Sequence, residues 1–264
     1  MLTSFLRRAS QWMVPPVLQG QAPLPQCVPE WSEPMAEHHA AIWWKVKPYT
    51  MTSVERIVAL CQSIAYLENQ RIPGAIVECG VWKGGSMMAA ALSLLALDST
   101  HRHLHFFDTF AGMPPPAPID VDWQGRPASD LLRVSSNEGA LMRAQAPLHE
   151  VKQAMMLTRY PWEKLIFVPG RVERTLPDQS PEQIALLRLD TDWYESTYHE
   201  LEHLYPRLAD GGILIVDDYG HWQGARKAVD DYFRNHGIDA ELRTIDFTGR
   251  LLVKRTCPVQ SLAA

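Results

Sequence analysis

Five short apolar segments, spaced along the chain with helical or irregular sequence between them, restrict its fold more than any other feature. They are "AIVECG" (75–80), "HLHFFDTF" (103–110), "KLIFVPG" (164–170), "IALLRLD" (184–190) and "GGILIVDD" (211–218). Each has the length of a buried strand and is too short to be a core helix. Between them the period changes. From Thr52 onward Val54, Ile57, Val58, Cys61, Ile64 and Leu67 recur at three and four, and Thr52 with Glu55 has the form of a capping box. "RIPG" stops that helix. A second helix is expected from about Ser86 to Leu97, and a third over roughly 197–208, capped by Thr197 and Glu200.

Strands separated by helices imply a parallel sheet covered by helices on both faces. The end of the chain differs: "AELRTIDF" and "RLLVKR" flank Thr248-Gly249, a hairpin signal that adds an antiparallel strand at or near the sheet edge. Five parallel strands and a hairpin make seven. The expected fold is therefore α/β, a class I methyltransferase (Rossmann-like) seven-stranded sheet, not the six-stranded nicotinamide-dinucleotide plan. At 264 residues the chain fits one such domain, here 49–264, preceded by an arm over 1–48. That arm is irregular and proline-rich, and Trp12, Trp31, Trp43 and Trp44 are too many aromatics for a disordered tail. It is expected to pack on the body or on a second subunit, which makes a homo-oligomer the expected state. Residues 111–150 are also too long and proline-rich for a connection, where about 4–6 residues is usual. They follow the carboxyl end of a strand, where open sheets bind ligands, and so read as a lid.

Composition narrows the class. Hydrophobic residues make up 46% and charged residues 21%, the balance of a globular chain with a sizeable core. A formal charge of −5 argues against nucleic acid, which leaves a basic footprint. No run approaches a membrane span of about 20 apolar residues, and "VPPVL" is too short for a signal peptide. Cys27, Cys61, Cys79 and Cys257 lie far apart with neither CxxC nor zinc spacing. They read as reduced thiols of a cytoplasmic protein.

The chemistry gathers at strand ends. "ECGVWKGGS" follows the first strand, and its Glu78, Gly80, Gly84, Gly85 and Ser86 make a tight turn into a helix. Glycine allows close backbone approach to a ligand, and the helix points its first amides at any anion there. Tight strand-to-helix turns need glycine in any case. Asp108 ends the second strand, where an acid accepts from a ribose diol. Together these suggest an adenosine-containing cofactor, either a nicotinamide dinucleotide or S-adenosylmethionine. Asp190 ends the fourth strand, and Asp217 and Asp218 end the fifth. Carboxylates crowded at one crevice resist joint ionisation unless a cation lies between them. An all-oxygen set suits Mg²⁺ or another hard divalent cation, for which a nicotinamide enzyme has no routine need. Asp192 reads as a supporting acceptor or a helix cap, and His221 falls where it could touch substrate. His101, His103 and His105 read as structural or solvated. Arg171 has two readings, near the cofactor or paired with a surface acid.

Taken together, "YTMTSVER", "GAIVECGVWKGGSMM", "FFDTFAGMP", "GRVERTLP", "LRLDTDWYEST" and "LYPRLADGGILIVDDYGHWQGARKAVDDY" resemble the macrocin O-methyltransferase (TylF/MycF-type) family over about residues 48–255. The resemblance implies methyl transfer from S-adenosylmethionine to a sugar hydroxyl in natural-product tailoring, with a metal ion and a small glycoside substrate. It implies that Glu78, Gly80 and the Gly84-Gly85-Ser86 turn hold the methionine part, and that Asp108 binds the ribose. Thr50 and Met51 fall in a segment that covers the cofactor. Asp190, Asp217 and Asp218 match the metal carboxylates, Asp190 also matches the base, and Glu138 lies in the insertion where acids face substrate. A vicinal diol on an aromatic ring would chelate the same metal, so a catechol-like phenol is an alternative acceptor. A cofactor-binding protein without turnover is a second alternative, opposed by the intact acid set.

Overall fold

The computed structural model describes residues 37–133 and 143–255. The expectations for residues 1–36, and for Glu138 in the insertion, lie outside the described residues. All five predicted strands form: β1 Ala75–Cys79, β2 Leu104–Asp108, β3 Leu165–Pro169, β4 Ile184–Leu189 and β5 Leu208–Val216. Thr248-Gly249 turns β6 Arg243–Thr244 into β7 Arg250–Val253. The seven strands lie in the order β3-β2-β1-β4-β5-β7-β6, parallel except for β7, which runs antiparallel to both neighbours. This is the class I methyltransferase sheet expected from the sequence.

The helices are α1 Glu37–Val46, α2 Val54–Asn69, α3 Gly85–Ala96, α4 Ala128–Arg133, α5 Leu148–Met156, α6 Val172–Thr175, α7 Tyr194–Leu204 and α8 Gln223–Asn235. Strand residues alternate between two cores, because successive side chains leave a strand on opposite faces. Ile76, Phe106, Leu186 and Ile215 pack under α2 and α3, while Val77, Phe107, Leu187 and Val216 pack under α7 and α8. Helix α1 falls within the stretch expected as an arm, and its Ile42 and Val46 join the first core.

Two expected caps are corrected. The N-cap of α2 is Ser53, whose hydroxyl accepts from the Arg56 amide at 3.2 Å. Thr52 is turned inward, and its hydroxyl accepts from Arg188 Nη2 at 3.0 Å. Helix α7 begins at Tyr194, so Thr197 and Glu200 sit buried inside it. Its first amide is answered from far along the chain: Asp120 Oδ1 accepts from Tyr194 N at 2.8 Å. A cap that comes from the insertion leaves no local sequence signature.

The first part of the insertion, residues 113–132, is pinned down. Trp193 Nε1 donates to the Pro114 carbonyl at 3.0 Å, and Gln223 Nε2 donates to the Asp122 carbonyl at 2.9 Å. Trp193, Trp222, Ala225 and Ala128 close a small third core beneath it. Among the described residues, no helix is long and apolar enough to cross a membrane.

Candidate active site

The sheet register decides which residues meet. Cys79 pairs with Leu189, and Leu189 pairs with Val216. Each next residue stays in line: Asp190 N donates to Cys79 O at 2.8 Å and Asp217 N to Leu189 O at 2.9 Å. The carboxyl ends of β1, β4 and β5 thus put Gly80, Asp190 and Asp217 in one row.

Arg188 organises this row. A charge on a strand buried along its whole length needs partners, since desolvation of an unpaired ion is costly. Its guanidinium, 3% exposed, reaches four groups. Nη1 donates to Glu78 Oε1 and, at 2.7 Å, to Asp190 Oδ2; Nη2 donates to Asp217 Oδ1 and to Thr52 Oγ1. Arg56 of α2 brings a second guanidinium, donating to Asp217 Oδ2 and, at 3.0 Å, to Asp246 Oδ2.

In front of this pair stand the acids. Asp190, Asp192 and Asp218 each offer a carboxylate oxygen, and these oxygens lie within 4.8 Å of one another. The sequence reading chose Asp217 for this set and left Asp192 as support. The structure exchanges the two. Asp217 lies in register with Asp190, but Arg188 and Arg56 hold both of its oxygens, while Asp218, the second residue past β5, brings its carboxylate to the cluster. Asp192 reaches the cluster because its backbone is left-handed, at φ 71°, a conformation that Asp tolerates better than most residues.

Burial, together with the charges of Asp217 and Asp218, pushes Asp190 well above the ordinary carboxylate range against the pull of Arg188. Burial and the neighbouring Asp218 and Asp190 do the same to Asp192. Burial also acts to raise Asp218, but hydrogen bonds from Asp192 and Asp190 and the charge of Arg56 hold it low. The cluster thus retains protons that a cation would displace. His221 stands beside it, its amide donating to the Asp218 carbonyl at 3.0 Å. Burial keeps that imidazole below its usual pKa despite Asp218 and Asp122.

On the other side of Arg188 lies the turn after β1. Glu78 is 1% exposed, and its Oε2 is buried with no hydrogen-bond partner among the described residues. Burial pushes its carboxyl up to about 7 in spite of Arg188. A buried orphan acceptor beside a glycine turn fits the ammonium of a methionine-type ligand. The glycines have structural reasons that the sequence reading assigned to a ligand. A Cβ on Gly80 would overlap the Asp190 carbonyl, so this glycine lets β1 and β4 approach. A Cβ on Gly85 would strike the Tyr49 carbonyl and Thr50 Cβ, so this one seats the 49–50 segment on the start of α3. Gly84 precedes that helix, and Ser86 is buried in its first turn. Thr50 Oγ1 accepts from the Thr52 amide at 3.0 Å, while Met51 is half exposed.

Asp108, expected as a ribose acceptor, also accepts from the chain. Oδ2 accepts from Val81 N at 2.6 Å and Trp82 N at 3.0 Å, and Oδ1 from Phe110 N at 2.7 Å. A carboxylate has about four lone-pair sites. Three of them are taken by the amides that shape the glycine turn, while the Thr109 hydroxyl gives its proton to the Gly112 carbonyl at 2.6 Å. Arg171 pairs with Glu173, at 3.1 Å and 3.3 Å. His105 is buried, and burial lowers it to about 4.

Sequence reasoning missed Arg188, Arg56 and Thr52. The signal for Arg188 was present, a lone cation in an otherwise apolar strand. Arg56 and Thr52 gave none, because their partners lie at the far ends of strands.

A family model described as "Macrocin-O-methyltransferase (TylF)" matches residues 30–254. The chain is 34% identical over 206 residues to the 8-demethyl-8-(2,3-dimethoxy-alpha-L-rhamnosyl)-tetracenomycin-C 4'-O-methyltransferase of Streptomyces olivaceus, covering 78% of this chain and 76% of that one. It is 30% identical over 214 residues to the mycinamicin III 3''-O-methyltransferase of Micromonospora griseorubida, covering 76% of each. Among solved structures, the O-methyltransferase NovP superposes with a TM-score of 0.68 at 31% identity, covering 79% of this chain and 83% of that one.

Proposed function

The chain belongs to the macrocin O-methyltransferase family, and on that premise we propose that it transfers a methyl group from S-adenosylmethionine to a sugar hydroxyl of a natural-product glycoside, with Mg²⁺ or another hard divalent cation. The observation that carries this reading is the three-carboxylate cluster set one strand away from an orphaned, buried Glu78 oxygen. Two cationic ligands answer those two features. The rhamnosyl acceptor named for one relative supports a sugar.

Asp190, Asp192 and Asp218 would hold the cation, and Glu78 Oε2 would take the methionine ammonium beside the Gly84-Gly85-Ser86 turn. The segment at Thr50 and Met51 would cover the cofactor, and His221 would face the acceptor. When bound, these groups supply a sulfonium methyl and a Lewis acid that lowers the pKa of a coordinated hydroxyl. The remaining work is the chain's own. Arg188 fixes Asp190 through Oδ2, and Asp190 so held would take the proton of the acceptor hydroxyl. The insertion would cover the site and fix the approach, and alignment of the two reacting atoms would supply much of the rate.

The test is transfer of labelled methyl from S-adenosylmethionine, with Mg²⁺, to a panel of deoxysugar-bearing and phenolic acceptors. Asp190→Ala is expected to lower transfer by about 10³-fold or more while S-adenosylhomocysteine binding persists. Undiminished activity in excess EDTA would sink the metal-assisted reading.

A further inference from the structure

Large aromatic rings left in water need a reason when they are held rigidly beside a site. Trp123 and Phe247 are each 42% exposed, and their rings meet edge to face at 5.6 Å. They come from segments remote in sequence, the insertion and the β6–β7 turn. Both are held in fixed frames. Asp122, wholly buried, accepts from Gln124 N, Arg126 N and Arg126 Nε and so locks the turn that carries Trp123. Asp246 accepts from Thr248 N and Gly249 N and from Arg56, which locks the turn that carries Phe247.

Both frames rest on the loop that carries Asp218 and His221. Gly220 N donates to Thr248 O at 2.9 Å, and a Cβ on Gly220 would strike the Phe247 carbonyl. On the insertion side, Asp122 bridges to Trp222 as a β-pair and lies within electrostatic reach of His221. Beside the same loop opens a cleft of about 600 Å³ lined by Ile119, Trp123, Tyr219 and Trp222 and by charged side chains of α8 of both signs, from Arg226 to Arg234. That volume is in the range of small-molecule sites, and the apolar walls are mostly aromatic.

We propose that this cleft, with Trp123 as its principal wall, is a subsite for a flat, apolar aglycone attached to the sugar that is methylated at the acid cluster. The proposal rests on the sugar-acceptor reading above and adds the class of group next to the sugar. An aromatic aglycone fits better than a second apolar protein surface, because the rings stand edge to face and leave planar faces open. The preference is for planar over aliphatic aglycones on the same sugar.

The experiment compares phenyl and methyl α-L-rhamnoside binding to the full-length chain loaded with S-adenosylhomocysteine and Mg²⁺, by calorimetry or ligand-observed NMR. The phenyl glycoside is expected to bind about five-fold or more tightly. That advantage should vanish in Trp123→Ala and shrink in Phe247→Ala, while S-adenosylhomocysteine affinity stays the same in both. Both rings are half exposed, so neither truncation opens a core. Equal binding of the two glycosides, or an advantage that survives both substitutions, would overturn the subsite alone. Binding of neither glycoside would overturn the sugar-acceptor reading beneath it. Loss of self-association in Trp123→Ala, seen by sedimentation, would assign the cleft to a second copy of the chain instead.

Discussion

Two groups of acids in this molecule are treated in opposite ways. In the insertion, Asp122 accepts from two backbone amides and the Arg126 guanidinium, and Asp120 from Ala117 N at 2.7 Å and Tyr194 N at 2.8 Å. Every charge there meets fixed donors, which is what a folding role requires. At the ends of β4 and β5, Asp190, Asp192 and Asp218 crowd within 4.8 Å and hydrogen-bond to one another. Asp120 and Asp122 are fully buried and Asp190, Asp192 and Asp218 only partly so, yet it is the first pair whose carboxylates are answered by backbone amides. Asp120 and Asp122 are held by donors of the chain, whereas Asp190, Asp192 and Asp218 are held largely by one another, with Arg188 donating to Asp190.

The comparison breaks most visibly at Arg188, which belongs to both kinds of site. Arg188→Met keeps the volume and removes the guanidinium that Glu78, Asp190 and Asp217 share. Breaking a buried ion network by removing one partner costs about 3–5 kcal/mol, so urea unfolding of the metal-free chain should show a loss of that order. Arg188→Lys, which keeps the charge without the fork, should fall between. A loss under about 1 kcal/mol would mean that the acids simply take up protons, and the ion network would not be holding the strand ends together.

Smaller and opposite effects should separate the two acid groups. Asp122→Ala strands three donors in a buried turn and should cost about 1–3 kcal/mol, with Mn²⁺ binding unchanged. Asp192→Asn should do the reverse: Mn²⁺ affinity, read by electron paramagnetic resonance, should fall about tenfold or more, while the metal-free chain melts no lower or slightly higher. Asp217→Asn sharpens the corrected ligand set. It loses two guanidinium partners and should lower stability more than it lowers Mn²⁺ affinity. If Asp217→Asn instead abolished Mn²⁺ binding and Asp192→Asn did not, the original choice of Asp217 would stand.

Which of these features the sequence could reveal follows from range. Strands and their order were legible, because five apolar runs and one Thr-Gly turn are local signals and parallel strands with intervening helices leave few topologies. The crevice was legible too, since acids at strand ends converge once the order is known. The exchange of Asp192 for Asp217 was not, because it depends on Arg188 and Arg56 holding both oxygens of Asp217 and on a left-handed φ at residue 192. The caps failed for the same reason. Asp120 answers the first amide of α7 from 74 positions away, and Thr52 prefers a buried arginine to its own helix. At Asp108 position alone was visible, whereas the three amides that it also holds were not.

The finest test of the contrast lies at Glu78, whose two oxygens are treated in the two ways at once. Oε1 is held by Arg188, and Oε2 is buried without a partner among the described residues. Its carboxyl, pushed by burial up to about 7 from an ordinary 4.5, holds a proton in the folded chain that the unfolded chain has already released. Between about pH 4.5 and 7 the native state therefore binds more protons, and this group's contribution to stability falls as pH rises through that window. A ligand ammonium at Oε2 favours the carboxylate, so cofactor binding at pH 7 should expel roughly half a proton. Calorimetry of S-adenosylhomocysteine binding in two buffers of different ionisation enthalpy reads that number directly. Glu78→Gln should reduce the release to near zero and weaken binding, whereas Asp122→Ala should leave both unchanged. A wild-type titration with no proton release would move the ammonium away from Glu78 and leave the orphan oxygen to some other cation.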